Sequence, residues 1–79
     1  MNKILYHVSS FKKVLRYKTE GCIKPPVRAW TSIEAALNFS KQTGRRVILR
    51  LKNNKTFVPF EGHKGNAVIS REPYCIKDF

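Results

Sequence analysis

The chain has 79 residues, 42% of them hydrophobic, and its 16 Lys and Arg residues against five Asp and Glu residues give a formal net charge of +11. A chain of this length forms one domain near the lower limit for a self-sufficient hydrophobic core, and its hydrophobic content excludes a disordered protein. We expect a soluble, cytoplasmic protein, because no apolar run approaches the roughly 20 residues of a membrane helix and no signal peptide is evident.

The positive charge is concentrated in the first two-thirds of the chain. Residues 1–52 carry twelve basic and two acidic residues, which is +10 of the total +11. A positive field of this size favours phosphate-rich partners, whether RNA, DNA, a nucleotide or a nucleoprotein complex. The alternative explanation is a surface charge that serves only solubility.

The first elements predicted along the chain are a strand over residues 3–8 and a short helix over residues 11–17. Three apolar residues recur at helical spacing in this helix, namely Phe11, Val14 and Leu15. Residues 22–26 contain two consecutive prolines, which fix φ and push the preceding residue out of the helical region, so this segment is predicted to be an extended connector. A short strand over residues 27–30 follows.

The principal helix is predicted over residues 32–42. Thr31 and Glu34 have the spacing of a capping box, with Thr31 at the N-cap. Gly44 is expected to end the helix, because glycine adopts the left-handed conformation that follows a last helical turn.

Four short strands complete the predicted pattern, over residues 45–52, 56–60, 67–70 and 74–76. The first alternates with period two, and Pro59 is expected to end the second or confine it to a sheet edge. The predicted fold class is therefore α+β: a single small domain of five or six short strands with one principal helix and a short helix near residues 11–17.

The cysteines and histidines offer little metal chemistry. Cys22 and Cys75 allow one disulfide, but two buried free thiols are expected, because small secreted scaffolds usually contain more cysteines. No pair of Cys or His residues has the close spacing of zinc ligands, so we predict no metal site.

Three segments carry side chains suited to a binding site. His7 ends the first strand and is followed by Ser9 and Ser10. Residues 30–32 mark a strand-to-helix junction, where free backbone N–H groups favour an anion. Residues 61–66 form a loop with two glycines. Each segment also has a purely structural explanation, for example a hydrogen-bonded core histidine or a helix cap.

These segments stand in a recognisable order. A first strand ends in Leu-Tyr-His-Val-Ser at residues 5–9, a Gly-Cys-Ile-Lys-Pro segment occupies residues 21–25, and a strand ending in Trp-Thr precedes a helix with two early alanines at residues 35–36. This order resembles the ADP-ribosyltransferase fold in its small, divergent forms, including the tRNA 2′-phosphotransferase branch.

The resemblance implies a pocket for NAD in which His7 orients the nicotinamide-side ribose. The residues that it assigns to this pocket are Tyr6, His7, Ser9, Ser10, Trp30, Thr31, Ser32 and Asn66. The family usually has a glutamate at the start of a late strand, where this chain has Asn66 or the neighbouring Ala67. Asparagine cannot supply the negative charge that a developing cation needs. The catalytic candidates are therefore His7 and Thr31, with Glu61 as a substitute carboxylate.

Two functions are predicted from these observations. The first is a basic nucleic-acid-binding or nucleoprotein-binding domain on this scaffold, catalytically degenerate and without a cofactor. Its phosphate contacts are expected from Arg28, Arg45, Arg46, Arg50, Lys52 and His63. The alternative is a minimal NAD-dependent enzyme that transfers ADP-ribose or an RNA 2′-phosphate.

Overall fold

A computed structural model describes residues 3–60 and 66–75 of the chain. Within these residues the elements in chain order are β1 (Ile4–Ser9), α1 (Phe11–Glu20), β2 (Cys22–Ile23), β3 (Val27–Trp30), α2 (Ile33–Thr43), β4 (Val47–Lys52), β5 (Val58–Pro59), β6 (Ala67–Ser70) and β7 (Tyr74–Cys75). One antiparallel sheet has the order β4-β1-β3-β6-β5, and β2 pairs with β7 in a second. The predicted α+β class is confirmed. Neither helix of the described part is long and apolar enough to cross a bilayer.

The register between the two central strands of the larger sheet is short. β1 pairs with β4 along its whole length, whereas the described register between β1 and β3 consists of the single pair Tyr6 and Trp30. On its other side, β3 pairs with β6 over four residues. Beyond Tyr6 on β1 and before Trp30 on β3, the two neighbouring strands share no further register pair.

Each face of the sheet is covered by one helix. Because side chains alternate along a strand, Leu5 and His7 lie on one face and Tyr6 on the other. Leu5 belongs to the main core, which also contains Tyr17, Ile23, Val27, Ala29 and Leu51. The opposite face packs against α2, where the rings of Trp30 and Phe39 have centroids 5.4 Å apart. Burial of each large apolar side chain contributes about 1.5–3 kcal/mol.

Helix α1 is longer than predicted and buries a different face. It continues past residue 17 to Glu20 and ends at Gly21, whose φ of 76° is left-handed and whose N–H bonds to the Tyr17 carbonyl at 2.7 Å. Tyr17 is buried, whereas Phe11 and Leu15 are 76% and 60% exposed. Of the three apolar residues that predicted the helix, only Val14 packs against the core, together with Tyr17.

The N-cap of α2 is Ser32, and the predicted capping box at Thr31 is wrong. The Ser32 hydroxyl accepts from the Ala35 N–H at 3.4 Å, so the helix begins at Ile33 rather than at residue 32. The Thr31 N–H is already bonded to the Asn66 carbonyl at 2.8 Å, which keeps Thr31 in the extended line of β3. Gly44, with φ of 72°, ends the helix as predicted.

The strands and the burial of the cysteines differ from the prediction. The segment predicted to be a connector begins with β2, which makes seven strands instead of five or six in the described residues. The strand predicted over residues 56–60 is reduced to β5, which lies at a sheet edge as Pro59 requires. Cys75 is exposed rather than buried, and both cysteines are free thiols.

The new cap of α2 predicts that Ser32→Ala lowers the free energy of unfolding by about 1 kcal/mol, because the Ala35 N–H loses its side-chain acceptor. For a domain of this size, that change corresponds to a fall in Tm of about 4–8 °C. Ser32→Asn, which retains a capping oxygen, is the matched control and should keep most of the wild-type stability in urea unfolding. An unchanged Tm for Ser32→Ala would show that the cap lies elsewhere.

Candidate functional site

A cavity of about 350 Å³ is lined by residues of β1 and β3 together with residues of both helices. Its walls come from both faces of the sheet: His7 and Tyr17 belong to the face under α1, and Trp30 and Phe39 to the face under α2. Ligand sites of small molecules have volumes of about 300–1,000 Å³, so the cavity is large enough for a small ligand.

His7 lines the cavity, and both of its ring nitrogens form hydrogen bonds. Nδ1 lies 2.6 Å from the Arg28 carbonyl oxygen, which can only accept, so Nδ1 carries the proton and donates. Nε2 is then the acceptor, and the Tyr17 hydroxyl donates to it at 3.1 Å. The Ser9 hydroxyl donates to the Tyr17 oxygen at 3.2 Å. The chain from Ser9 to Arg28 is complete, and it links β1 to both α1 and β3.

The imidazole of His7 is neutral in this arrangement. Burial lowers the pKa of His7 below its ordinary value of 6.5, and the positive charges of Lys13 and Arg45 lower it further. The hydrogen bond to the Arg28 carbonyl opposes this shift without cancelling it. The acceptor nitrogen of His7 is thus occupied by the Tyr17 hydroxyl.

The cavity is strongly positive. Five basic residues contribute to its lining, namely Lys13, Arg16, Lys24, Arg28 and Arg45. Among the described lining residues the one carboxylate is Glu20, whose Oε1 lies 3.5 Å from the Lys24 Nζ. The described lining therefore carries a formal excess of four positive charges, which creates a site suited to an anion with more than one negative charge.

Aromatic rings line the same cavity as these cations. Trp30 and Phe39 form the tilted ring pair described above, and both line the cavity. Phe60 also lines it, and the Arg28 guanidinium carbon lies 5.4 Å from the centre of the Phe60 ring. Cation–π contacts of this kind hold a guanidinium beside an aromatic face. The cavity therefore offers flat apolar surfaces beside positive charge.

The structure brings together only some of the residues predicted for a cofactor pocket. His7 and Trp30 line the cavity. Ser9 is fully buried behind the Tyr17 hydroxyl. Ser10 and Ser32 are the N-caps of α1 and α2.

Thr31 and Asn66 lie side by side but are not among the cavity-lining residues. The Thr31 hydroxyl donates to the Asn66 Oδ1 at 3.2 Å. Tyr6 is opposite Trp30 on antiparallel strands. The next residues along the chain, His7 and Thr31, therefore lie on opposite sides of that pair. The half-buried Tyr6, at the pair itself, is also outside the lining.

The residues predicted to contact phosphate fall into two groups. Arg28 and Arg45 line the cavity. Arg46, Arg50 and Lys52 are exposed, and the last two lie on β4, the edge strand of the larger sheet. Two further predicted residues, Glu61 and His63, lie outside the described residues.

The sequence prediction missed the contribution of α1 to the cavity. Four of its residues line the cavity, namely Lys13, Arg16, Tyr17 and Glu20. Their spacing of three, four and seven residues places them on one helix face. A polar stripe at helical spacing was thus the available signal, and the exposed pair Phe11 and Leu15 obscured it.

Comparison of the chain with models of known protein families, with curated proteins and with solved structures gives no match. The described residues contain no group of three or more His, Cys, Asp or Glu side chains that could hold a metal ion. The function must therefore be argued from the cavity itself.

The lowered pKa of His7 predicts a loss of stability in mild acid. In the unfolded chain the pKa of His7 returns to about 6.5, so below that pH the unfolded state binds a proton that the folded state does not. The contribution of His7 to the free energy of unfolding should be complete above about pH 6.5. Below that pH the free energy of unfolding should fall, by at most about 1.4 kcal/mol per pH unit from this residue. Urea unfolding between about pH 5 and pH 8 measures the slope.

His7→Gln should remove this contribution to the slope, because glutamine does not titrate. His63→Gln, which alters the other histidine, is the control and should retain it. Equal slopes for His7→Gln and the wild-type protein would contradict the assignment of a neutral, buried His7.

Proposed function

We propose that this protein binds single-stranded nucleic acid, with one nucleotide seated in the cavity between β1 and β3. The observation that supports the proposal is the combination, in one cavity, of five basic residues with the rings of Trp30, Phe39 and Phe60. Proteins that bind single strands use this combination, because cations hold the phosphates while bases stack on aromatic faces.

The shape of the cavity favours a single strand over a duplex. A space of about 350 Å³ accommodates a small ligand, and the bases of a duplex are stacked inside it and unable to enter a concave site. An unstacked nucleotide presents both a flat base and a charged phosphate. We infer that the base lies beside Trp30 and that the phosphate lies among the arginines.

The strand would leave the cavity past Arg45, which precedes β4. The exposed side chains of Arg46, Arg50 and Lys52 follow along this part of the chain. They offer further phosphate contacts without base recognition, since phosphate contacts position a nucleic acid but carry no sequence information. The proposed interface thus has a cavity that holds one nucleotide and an edge that holds the backbone.

Binding is favoured over catalysis by the condition of the polar groups in the cavity. Both nitrogens of His7 are engaged, and Glu20, the described carboxylate of the lining, is paired with Lys24. Cleavage of a glycosidic bond needs a negative group near the developing cation. A cavity whose described lining is so positive instead favours a bound anion.

The proposal predicts that the cavity cations matter more than an equal number of cations on the sheet edge. The triple variant Arg16→Gln, Arg28→Gln and Arg45→Gln should weaken binding of a short single-stranded RNA or DNA by about 100-fold near 0.1 M salt, because each lost phosphate contact lowers the logarithm of affinity by about 0.7 there. The affinity of the wild-type protein should fall steeply with salt. Fluorescence anisotropy of a labelled oligonucleotide measures both quantities.

The matched control removes the same charge from the edge through Arg46→Gln, Arg50→Gln and Lys52→Gln. With an oligonucleotide of about three nucleotides, which occupies the cavity without extending along β4, this control should weaken binding by about tenfold or less. Equal losses in the two triple variants would mean that only net charge attracts the oligonucleotide, and the cavity proposal would fail. No binding by the wild-type protein at low salt would also refute it.

A second candidate is an NAD-dependent transferase. The observation in its favour is that His7 and Trp30 line one cavity, as the resemblance to ADP-ribosyltransferases implies. Thr31 and Asn66 fit less well, because their side chains bond to each other outside the lining. NAD would supply the ADP-ribose group that such an enzyme transfers.

The two candidates predict opposite responses of Trp30, the one tryptophan in the sequence. Under nucleic-acid binding, an oligonucleotide should quench the fluorescence of Trp30 by stacking and raise Tm, while NAD at about 1 mM changes neither. Quenching and a raised Tm with NAD but not with the oligonucleotide would replace the binding proposal with the transferase.

A further inference from the structure

The two cysteines of the chain meet across the small sheet. Cys22 of β2 is directly opposite Cys75 of β7 in the antiparallel register. Both cysteines are free thiols. Each of the two short strands thus contributes one cysteine to this pair, although 52 residues separate the cysteines in the sequence.

This arrangement already has the Cα separation that a disulfide requires. Residues directly opposite each other on antiparallel strands have Cα atoms about 4.5–5.5 Å apart. Disulfides join Cα atoms about 4.4–6.8 Å apart. The bond can therefore close without a large movement of β2 or β7.

The two thiols differ in access and in protonation. Cys75 is exposed and Cys22 is half-buried. The hydrogen bond to Cys75 raises the pKa of the Cys22 thiol, and burial and the charges of Cys75 and Glu20 raise it further. An incoming reagent therefore meets Cys75 first, while Cys22 remains a protonated thiol behind it.

We propose that Cys22 and Cys75 form a thiol–disulfide exchange site that reacts with small disulfides of the glutathione class. The Cys75 thiolate attacks one sulfur of oxidised glutathione, which forms a mixed disulfide and releases one glutathione thiolate. Cys22 then loses its proton to solvent, and its thiolate attacks the Cys75 sulfur. That step forms the Cys22–Cys75 bond and releases the second glutathione, so the two protein thiols are oxidised and one glutathione disulfide is reduced.

Closing this bond affects the wall of the cavity. The residue after Cys22 is the core residue Ile23, and Lys24 follows in the cavity lining. The bond would attach this segment covalently to β7 and close a loop that contains most of the chain. Loops of this length gain substantially in stability when a disulfide closes them, because the unfolded chain loses conformational freedom. The proposal does not depend on which ligand the cavity binds.

The experiment treats the folded, reduced protein with oxidised glutathione and follows its mass and its Tm. The wild-type protein should lose the mass of two hydrogen atoms without retaining glutathione, and its Tm should rise by about 10 °C or more. Reduction with dithiothreitol should restore both values.

Two single variants separate the roles of the cysteines. Cys22→Ser should accumulate a stable mixed disulfide at Cys75, because the second thiol is missing. Cys75→Ser should react far more slowly, because the remaining thiol is half-buried. Circular dichroism checks that both variants fold.

Three results would overturn the proposal. The first is a wild-type protein that retains glutathione as Cys22→Ser does. The second is a disulfide that forms mainly between two molecules. The third is an oxidised protein whose Tm is equal to or lower than that of the reduced form, which would show that the bond distorts the native pairing of β2 and β7.

Discussion

The hydrogen bond from His7 Nδ1 to the Arg28 carbonyl is the interaction on which the cavity depends. In the described register, β1 and β3 share one pair, Tyr6 and Trp30, so beyond that pair their backbone groups need other partners. The imidazole supplies one of them at 2.6 Å, and Tyr17 fixes its second nitrogen from α1. A side chain thus takes the place of a missing strand contact, so the partly buried Arg28 carbonyl still has a hydrogen-bond partner.

Signals that act over a few residues predicted most of the fold. Gly44 ends α2, and Pro59 lies on an edge strand, because both constraints belong to the local backbone. The capping box at Thr31 failed because the Thr31 N–H is taken by Asn66, which is 35 residues further along the chain. Tyr17 was missed in the same way, since its burial depends on His7 and Ser9 rather than on the pattern of its own helix.

The candidate site was predictable only in part. His7 stood out because the chain has two histidines and few acidic residues, and it does line a cavity. Its protonation state was not predictable, because that depends on Tyr17 and on the Arg28 carbonyl, which fold onto it from other elements. The polar stripe of α1 was present in the sequence. Which part of the fold this stripe faces could not be known until Tyr17 was placed in the core.

The charges on β4 have a consequence for self-association. β4 is an edge strand, and exposed edge strands pair readily with one another unless like charges keep them apart. Arg50 and Lys52 provide that repulsion between two copies of the chain. A polyanion bound along this edge would neutralise the same side chains and remove the barrier to pairing. If the protein binds nucleic acid as we propose, it would therefore stay monomeric on its own at concentrations where it forms clusters along a long nucleic acid.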